Sequence, residues 1–162
     1  MNCEAEIFAC SLKHVENFAA ELKELWLGLA RETFEIEPFI TPSEANSNKW
    51  FKFVRESLAC EKGLLLVARS EGKIVGFLFA SVRRDFPLET SKIVGVINDV
   101  YVLPTFRRRG TGRRLIVEFL GRVKELGVDS VFLSVLAKNT NAIKLYENFN
   151  FKIYSYTMVK KL

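Results

Sequence analysis

The chain has only three cysteines, Cys3, Cys10 and Cys60, and a single histidine, His14, in 162 residues. Three cysteines cannot all pair with one another, and none belongs to a C-x-x-C motif. One histidine and scattered thiols make no zinc set, so no metal is expected. His14 lies among helix-forming residues and reads as a solvated helix position. With no histidine near a cysteine, nothing in the sequence activates a thiolate. Long apolar runs are also missing: none approaches the roughly 20 residues that a membrane-spanning helix needs, so no membrane partner is expected. Glu4 and Glu6 stand where a signal peptide would carry positive charge, which makes a cytoplasmic location the expectation. There is no repeat, no low-complexity linker and no break in composition. At 49% hydrophobic and 27% charged residues, the sequence reads as one continuous globular domain over residues 1–162.

Charge is nearly balanced, and the imbalance is local. The chain carries 24 Lys and Arg against 19 Asp and Glu, an excess matched by the five arginines of Arg107-Arg108-Arg109-Gly110-Thr111-Gly112-Arg113-Arg114. That passage follows a strand-like run, Val94–Leu103, and leads into an amphipathic helical pattern, Leu115–Leu126. A glycine turn between strand and helix offers backbone N–H groups and a positive helix end to an anion, usually a phosphate. It is not a dinucleotide fingerprint, because Leu115 stands where G-x-G-x-x-G needs its third glycine. Nor is it a P-loop, because a single threonine separates Gly110 from Gly112. What stands is an R-x-x-G-x-G pattern: glycines let the backbone approach a ligand, and arginines add charge-assisted hydrogen bonds to phosphate oxygens. A nucleic-acid patch is disfavoured, because balanced charge elsewhere removes the extended basic face such binding uses.

The rest of the chain reads as alternating strands and helices. Glu4–Ala9 is a short strand and Ser11 a helix cap. Val15, Phe18, Ala19, Leu22, Leu25, Trp26 and Leu29 form one apolar helical face, ended by an irregular stretch from Glu32 to Pro42. Thr41-Pro42-Ser43-Glu44 starts a second helix with Trp50, Phe53, Val54 and Leu58 on its buried face. Gly63–Arg69 and Lys73–Val82 form a hairpin across Ser70-Glu71-Gly72, and Arg83–Ser91 is a loop. Beyond the glycine turn, Leu115, Ile116, Phe119, Leu120, Val123 and Leu126 line one helix side, and Gly127 stops that helix. Val131–Leu136 is a strand, Asn139–Asn148 a short helix, and Phe151–Lys161 one or two closing strands. The order predicts an α/β fold, a mixed sheet with helices on its faces. A homodimer through the closing strands is left open.

A second motif lies about 30 residues beyond the turn: Asn139-x-x-Ala142-x-x-Leu145-Tyr146-Glu147-x-x-Asn150-Phe151. In this order the two motifs resemble the GNAT superfamily of acetyl-CoA-dependent N-acetyltransferases, most closely over Val94–Phe151. The resemblance implies a GNAT-like mixed central sheet of six to seven strands flanked by about four helices. It implies acetyl-CoA as cosubstrate, with its pyrophosphate held by Arg107, Arg108, Arg109, Gly110, Thr111, Gly112 and Arg113. The backbone at Val102 and Leu103 would pair with the pantetheine arm like an added strand. Asn139 would sit beside that arm or cap the next helix. Tyr146 would be the general acid that returns a proton to the departing thiolate, which a phenol of reference pKa near 10 can do. Two positions depart from the family pattern: Asn150 replaces a glycine but tolerates a left-handed helix stop, and Arg108 replaces another and adds charge.

On the acceptor side, the resemblance places Asp99 where several small-amine enzymes carry an acidic residue. Strand alternation would put it on one face with Ile97 and Tyr101, able to take the proton of a bound ammonium, directly or through water. A purely structural aspartate is the competing reading. Glu32, Glu35 and Glu37, with Phe34, Ile36 and Phe39, form an acidic, partly aromatic stretch that either is a solvated surface loop or favours a cationic amine. Enzymes that acetylate ribosomal N-termini often have glutamate where Ser134 stands, which weighs against that reading. The expected activity is transfer of acetyl to a primary amine without a covalent enzyme intermediate, the acceptor being a small cationic amine. A protein or peptide N-terminus, or a non-catalytic acyl-CoA sensor, are the alternatives.

Overall fold

The computed structural model describes residues 4–83 and 92–160. The predicted loop after Arg83 therefore lies largely outside the described residues. Five strands form a single sheet in the order β1-β2-β3-β4-β5: β1 Glu6–Ala9, β2 Gly63–Ser70, β3 Lys73–Arg83, β4 Val94–Val102 and β5 Ser130–Leu133. The first four pair antiparallel, and β5 joins β4 in parallel after a helical crossover. The β2–β3 hairpin turns on Glu71 and Gly72, both with positive φ (51° and 80°), which matches strand twist.

Five α-helices cover the two faces: α1 Leu12–Asn17, α2 Ala19–Ile36, α3 Glu44–Ala59, α4 Thr111–Glu125 and α5 Thr140–Glu147. On one face α1–α3 bury Leu22, Trp26, Trp50 and Val54 against Phe77, Phe79 and Tyr101. On the other, α4 buries Leu115, Ile116, Phe119 and Val123 against Leu66, Leu78, Ala80 and Ile97. Phe77, Phe79 and Phe119 are fully buried. Each such side chain contributes about 2–3 kcal/mol by leaving water, which is why the sheet is sandwiched and not exposed on one side.

Several expectations need correcting. The first helix is two, because Phe18 takes a non-helical conformation (φ −100°, ψ 13°) between α1 and α2. The stretch from Glu32 is helical as far as Ile36. The break falls at Glu37, which is extended because Pro38 follows and a residue before proline avoids the helical region. On α3 it is Phe51, not Phe53, that is buried; Phe53 lies at the surface, 45% exposed. Leu126 follows the end of α4 and is also exposed, while Gly127 takes the left-handed φ of 73° expected of a stop.

Among the described residues the sheet has five strands rather than six to seven, since residues 151–160 form none. Ile153, Tyr154, Tyr156, Met158 and Val159 there are all exposed. Apolar residues fall on both sides of the period-two pattern, so no single face specifies a register against the sheet. Tyr154 reaches back, its ring 5.4 Å from that of Phe132.

Candidate functional site

The site begins where β4 and β5 part. Their parallel pairing ends at Ile97–Leu133, so among the described residues 98–102 have no partner on the β5 side. A mouth thus opens at the C-terminal ends of two parallel strands, where open α/β sheets bind ligands.

A bulge in β4 shapes this mouth. Phe79 pairs with Asp99 and Ala80 with Ile97, leaving Asn98 as an extra residue. Asn98 turns its amide to Ser81 Oγ at 2.7 Å. The extra residue shifts the alternation, so Ile97 packs with the α4 face while Asp99 and Tyr101 face α2 and α3. The expectation that all three share a face is corrected: only Asp99 and Tyr101 do.

Asp99 accepts a hydrogen bond on Oδ2 from the Trp50 indole N–H at 2.9 Å. Burial raises its carboxyl to about 6, and the Trp50 hydrogen bond opposes the rise. Tyr146, on α5, packs edge-on against Phe151 at 5.8 Å. Burial, and next the negative charge of Asp99, push its phenol up to about 12. The two groups named from sequence therefore sit within electrostatic reach of each other across the mouth. Trp50 is the member that sequence reasoning missed. Its helical spacing marked it only as core, and no local pattern connects position 50 to position 99.

The glycine turn stands at the start of α4. Gly110 is the N-cap, with φ 81° and no side-chain cap, and no atom lies within 4 Å of where its Cβ would be. At Gly112 a Cβ would meet only Val102 Cγ2, at 3.8 Å. Both glycines thus leave open space beside uncapped helix N–H groups, a fit for a phosphate group. Thr111 is buried with its hydroxyl turned to Phe106 O, leaving its backbone N–H for this role.

The five arginines divide into two kinds. Arg107 and Arg114 are engaged within the protein. Arg107 donates from Nε to Val102 O (2.7 Å) and from Nη2 to Glu32 Oε1 (2.7 Å), with its guanidinium over the Tyr101 ring. Arg114 donates to Ala5 O (2.8 Å) and lies 3.4 Å from Glu4. Arg108, Arg109 and Arg113 make no ion pair among the described residues. Arg109 rests over Phe106 and Arg113 over Phe149. Arg108 holds a left-handed φ of 59°, where the family pattern often has glycine.

Other sequence-derived positions fall as follows. At the end of β4, Val102 O accepts from Arg107 Nε and Leu103 N donates to Val75 O at 2.9 Å. Asn139 caps α5, its side chain accepting from Ala142 N at 3.2 Å. Asn150 takes the left-handed φ of 62° that the helix stop requires. Ser134 lies just past β5 and is exposed. His14 is exposed and completes a capping box with Ser11. Cys10 is buried, its thiol pushed up to about 12 by desolvation, and unreactive for that reason.

An open hollow of about 500 Å³ lies between α2, the segment after it and α3. Trp26, Trp50, Phe39, Asn46 and Lys49 are among its lining residues. Two of the acidic residues expected to attract a cation are neutralised: Glu32 by Arg107 and Glu37 by Lys138 at 2.9 Å. The Tyr101 hydroxyl also donates to Glu32, at 3.1 Å.

Among the described residues no cluster of metal-binding side chains occurs, and no helix is long and apolar enough to cross a membrane. The chain is 29% identical over 107 residues to an N-alpha-acetyltransferase of Sulfurisphaera tokodaii, covering 63% of this chain and 64% of that protein. It is 35% identical to a mycothiol acetyltransferase of Thermobispora bispora over 55% of this chain and 30% of that one. The chain thus spans less than two thirds of the length of these curated relatives. Among solved structures, the fold matches an aminoglycoside acetyltransferase from an uncultured soil metagenomic sample, in complex with sisomicin. The TM-score is 0.72 at 21% identity, over 98% of this chain and 96% of that one. The aminoglycoside N-acetyltransferase AAC(6')-Iy in complex with CoA matches with a TM-score of 0.69 at 20% identity, over 100% and 97% of the two chains. The model of the acetyltransferase (GNAT) family matches residues 14–151, and the chain belongs to that family.

Proposed function

We propose that the chain is one acetyl-CoA-dependent N-acetyltransferase domain over residues 1–162, moving acetyl to a primary amine by direct transfer. The observation that carries this is that Asp99 and Tyr146 stand near enough, where β5 leaves β4, for the carboxylate charge to act on the phenol. Acetyl-CoA would supply the thioester, its pyrophosphate held by the α4 N–H groups at Gly110–Gly112 with Arg108, Arg109 and Arg113. Arg107 would act from the side, bracing the end of β4 against α2.

Asp99 takes the proton that the ammonium must lose before its nitrogen can attack. A carboxyl raised to about 6 is ionised near pH 7 yet holds a proton better than an ordinary aspartate. As the amine nitrogen bonds to the acetyl carbon and the C–S bond breaks, the phenol O–H of Tyr146 gives its proton to the departing sulfur, and the second proton of the nitrogen returns to the phenolate, directly or through water. The two steps are linked. Once Asp99 is protonated, its charge no longer raises Tyr146, so the phenol becomes a stronger acid at the moment a proton is needed.

The acceptor is a small cationic amine. Its charge is drawn by Asp99 rather than by the rim, since Glu32 and Glu37 are ion-paired. A protein or peptide N-terminus is the second reading. It is favoured by similarity to an N-alpha-acetyltransferase and opposed by Ser134. Tyr146→Phe separates a catalyst from an acyl-CoA sensor. Turnover is expected to drop about 100-fold or more while acetyl-CoA affinity is kept. Turnover equal to wild type would remove Tyr146 from the mechanism.

A further inference from the structure

Trp50 has no part in the proton transfers described above, yet its indole is fixed with unusual completeness. The ring is 8% exposed, stacks on Trp26 at 6.0 Å and 23°, lies 5.3 Å from Phe77, and meets Phe79 edge-on at 6.5 Å. A ring held by three aromatic neighbours cannot swing, so its N–H points in one direction, to Asp99 Oδ2 at 2.9 Å. An indole is only a donor, so the bond is made to a carboxylate lone pair and fixes the plane of the carboxyl group. Among the described residues, Oδ1 accepts no hydrogen bond. The same indole also forms a wall of the hollow that Phe39, Asn46 and Lys49 complete.

We propose that Trp50 is the positioning residue of the acceptor site. It clamps one oxygen of Asp99 so that the other is presented to the amine, and its ring seats the body of the same acceptor. The proposal rests on Asp99 being the proton acceptor. The groups that act on Asp99 are few. From α3 comes the Trp50 N–H, with Lys49 beside it and exposed; from α5 comes the Tyr146 phenol; from β3 comes uncharged Phe79; and the Asn98 amide is turned away to Ser81.

The chain has two tryptophans, so its indole N–H region in a proton NMR spectrum holds two signals, and either Trp→Phe variant assigns them. In the wild-type protein the Trp50 signal is expected to titrate with an inflection near pH 6, and Asp99→Asn is expected to abolish that titration. In kinetics, Trp50→Phe keeps a ring but loses the donor. It is expected to lower kcat/KM for the acceptor tenfold or more, with KM for acetyl-CoA within twofold. The acid limb of the pH profile moves to higher pH, because a carboxylate without its donor holds its proton more tightly. Phe51→Leu, a packing loss one residue away on α3, leaves rate and limb unchanged. A Trp50 signal that Asp99→Asn leaves unshifted overturns the proposal, even if Trp50→Phe fails to fold. Wild-type rate and limb in Trp50→Phe, with Asp99→Asn inactive, also overturns it while sparing Asp99. Full activity in Asp99→Asn instead removes the underlying reading of the carboxylate, whatever the indole signal does.

Discussion

Asp99 lies half-buried beside Trp50 with its carboxyl raised to about 6, and this has a thermodynamic consequence apart from any reaction. The folded protein holds a proton there that the unfolded chain releases near its reference pKa of 3.8. Stability from this group is therefore full below about pH 4 and is lost as pH rises through about 6, by up to about 3 kcal/mol. Asp99→Asn should accordingly be more stable than wild type at pH 7 and 8 and no more stable at pH 4, as measured by urea denaturation, while losing acetyl transfer. Arg108 presents a similar opposition. Its left-handed φ of 59° strains a residue with a β-carbon, and Arg108→Gly should raise stability by up to about 1 kcal/mol. The same change removes one of three guanidinium groups beside the glycine turn that make no ion pair among the described residues, so calorimetry should show weaker acetyl-CoA binding together with a higher Tm.

Among the elements, β4 decides the most, and it shows how far the sequence could be read. The glycine turn, the cap at Asn139 and the left-handed Asn150 were legible because each depends on a few neighbouring residues with strong local preferences. The bulge at Asn98 was not, since it exists only as a pairing count against β3, and it alone moves Ile97 to the opposite face from Asp99. Position 50 was legible as core but not as a partner of position 99, a contact between residues 49 apart. The end of α2 followed from Pro38 rather than from the acidic stretch before it. The closing residues 151–160 carried a strand-like composition without a polar face, and no strand formed. α2 meets β4 at Gly28, where a Cβ would lie 2.6 Å from the Tyr101 hydroxyl. Gly28→Ala should push α2 away and cost about 1–3 kcal/mol, read as a fall in Tm, and should disturb the Tyr101–Glu32–Arg107 contacts at the edge of the mouth.

Over the whole molecule, the excess of positive charge resolves into two arginines spent on tying elements together and three left beside an uncapped helix start. An anion held by such exposed groups is screened by salt. Raising ionic strength from 0.05 to 0.5 M should weaken acetyl-CoA binding about fivefold. The two cores lie on opposite sides of one sheet, and the coupled pair spans them: Asp99 faces the α2–α3 side, while Tyr146 packs with the α4 side. The central claim is that this pair, beside that turn, transfers acetyl to an amine. Its most direct test is the release of free CoA thiol from acetyl-CoA by the purified protein across a panel of small amines and peptide N-termini. The account predicts thiol release with at least one amine, most strongly with a cationic small molecule, and its loss in Tyr146→Phe. Tight binding of acetyl-CoA with no amine acetylated would contradict it.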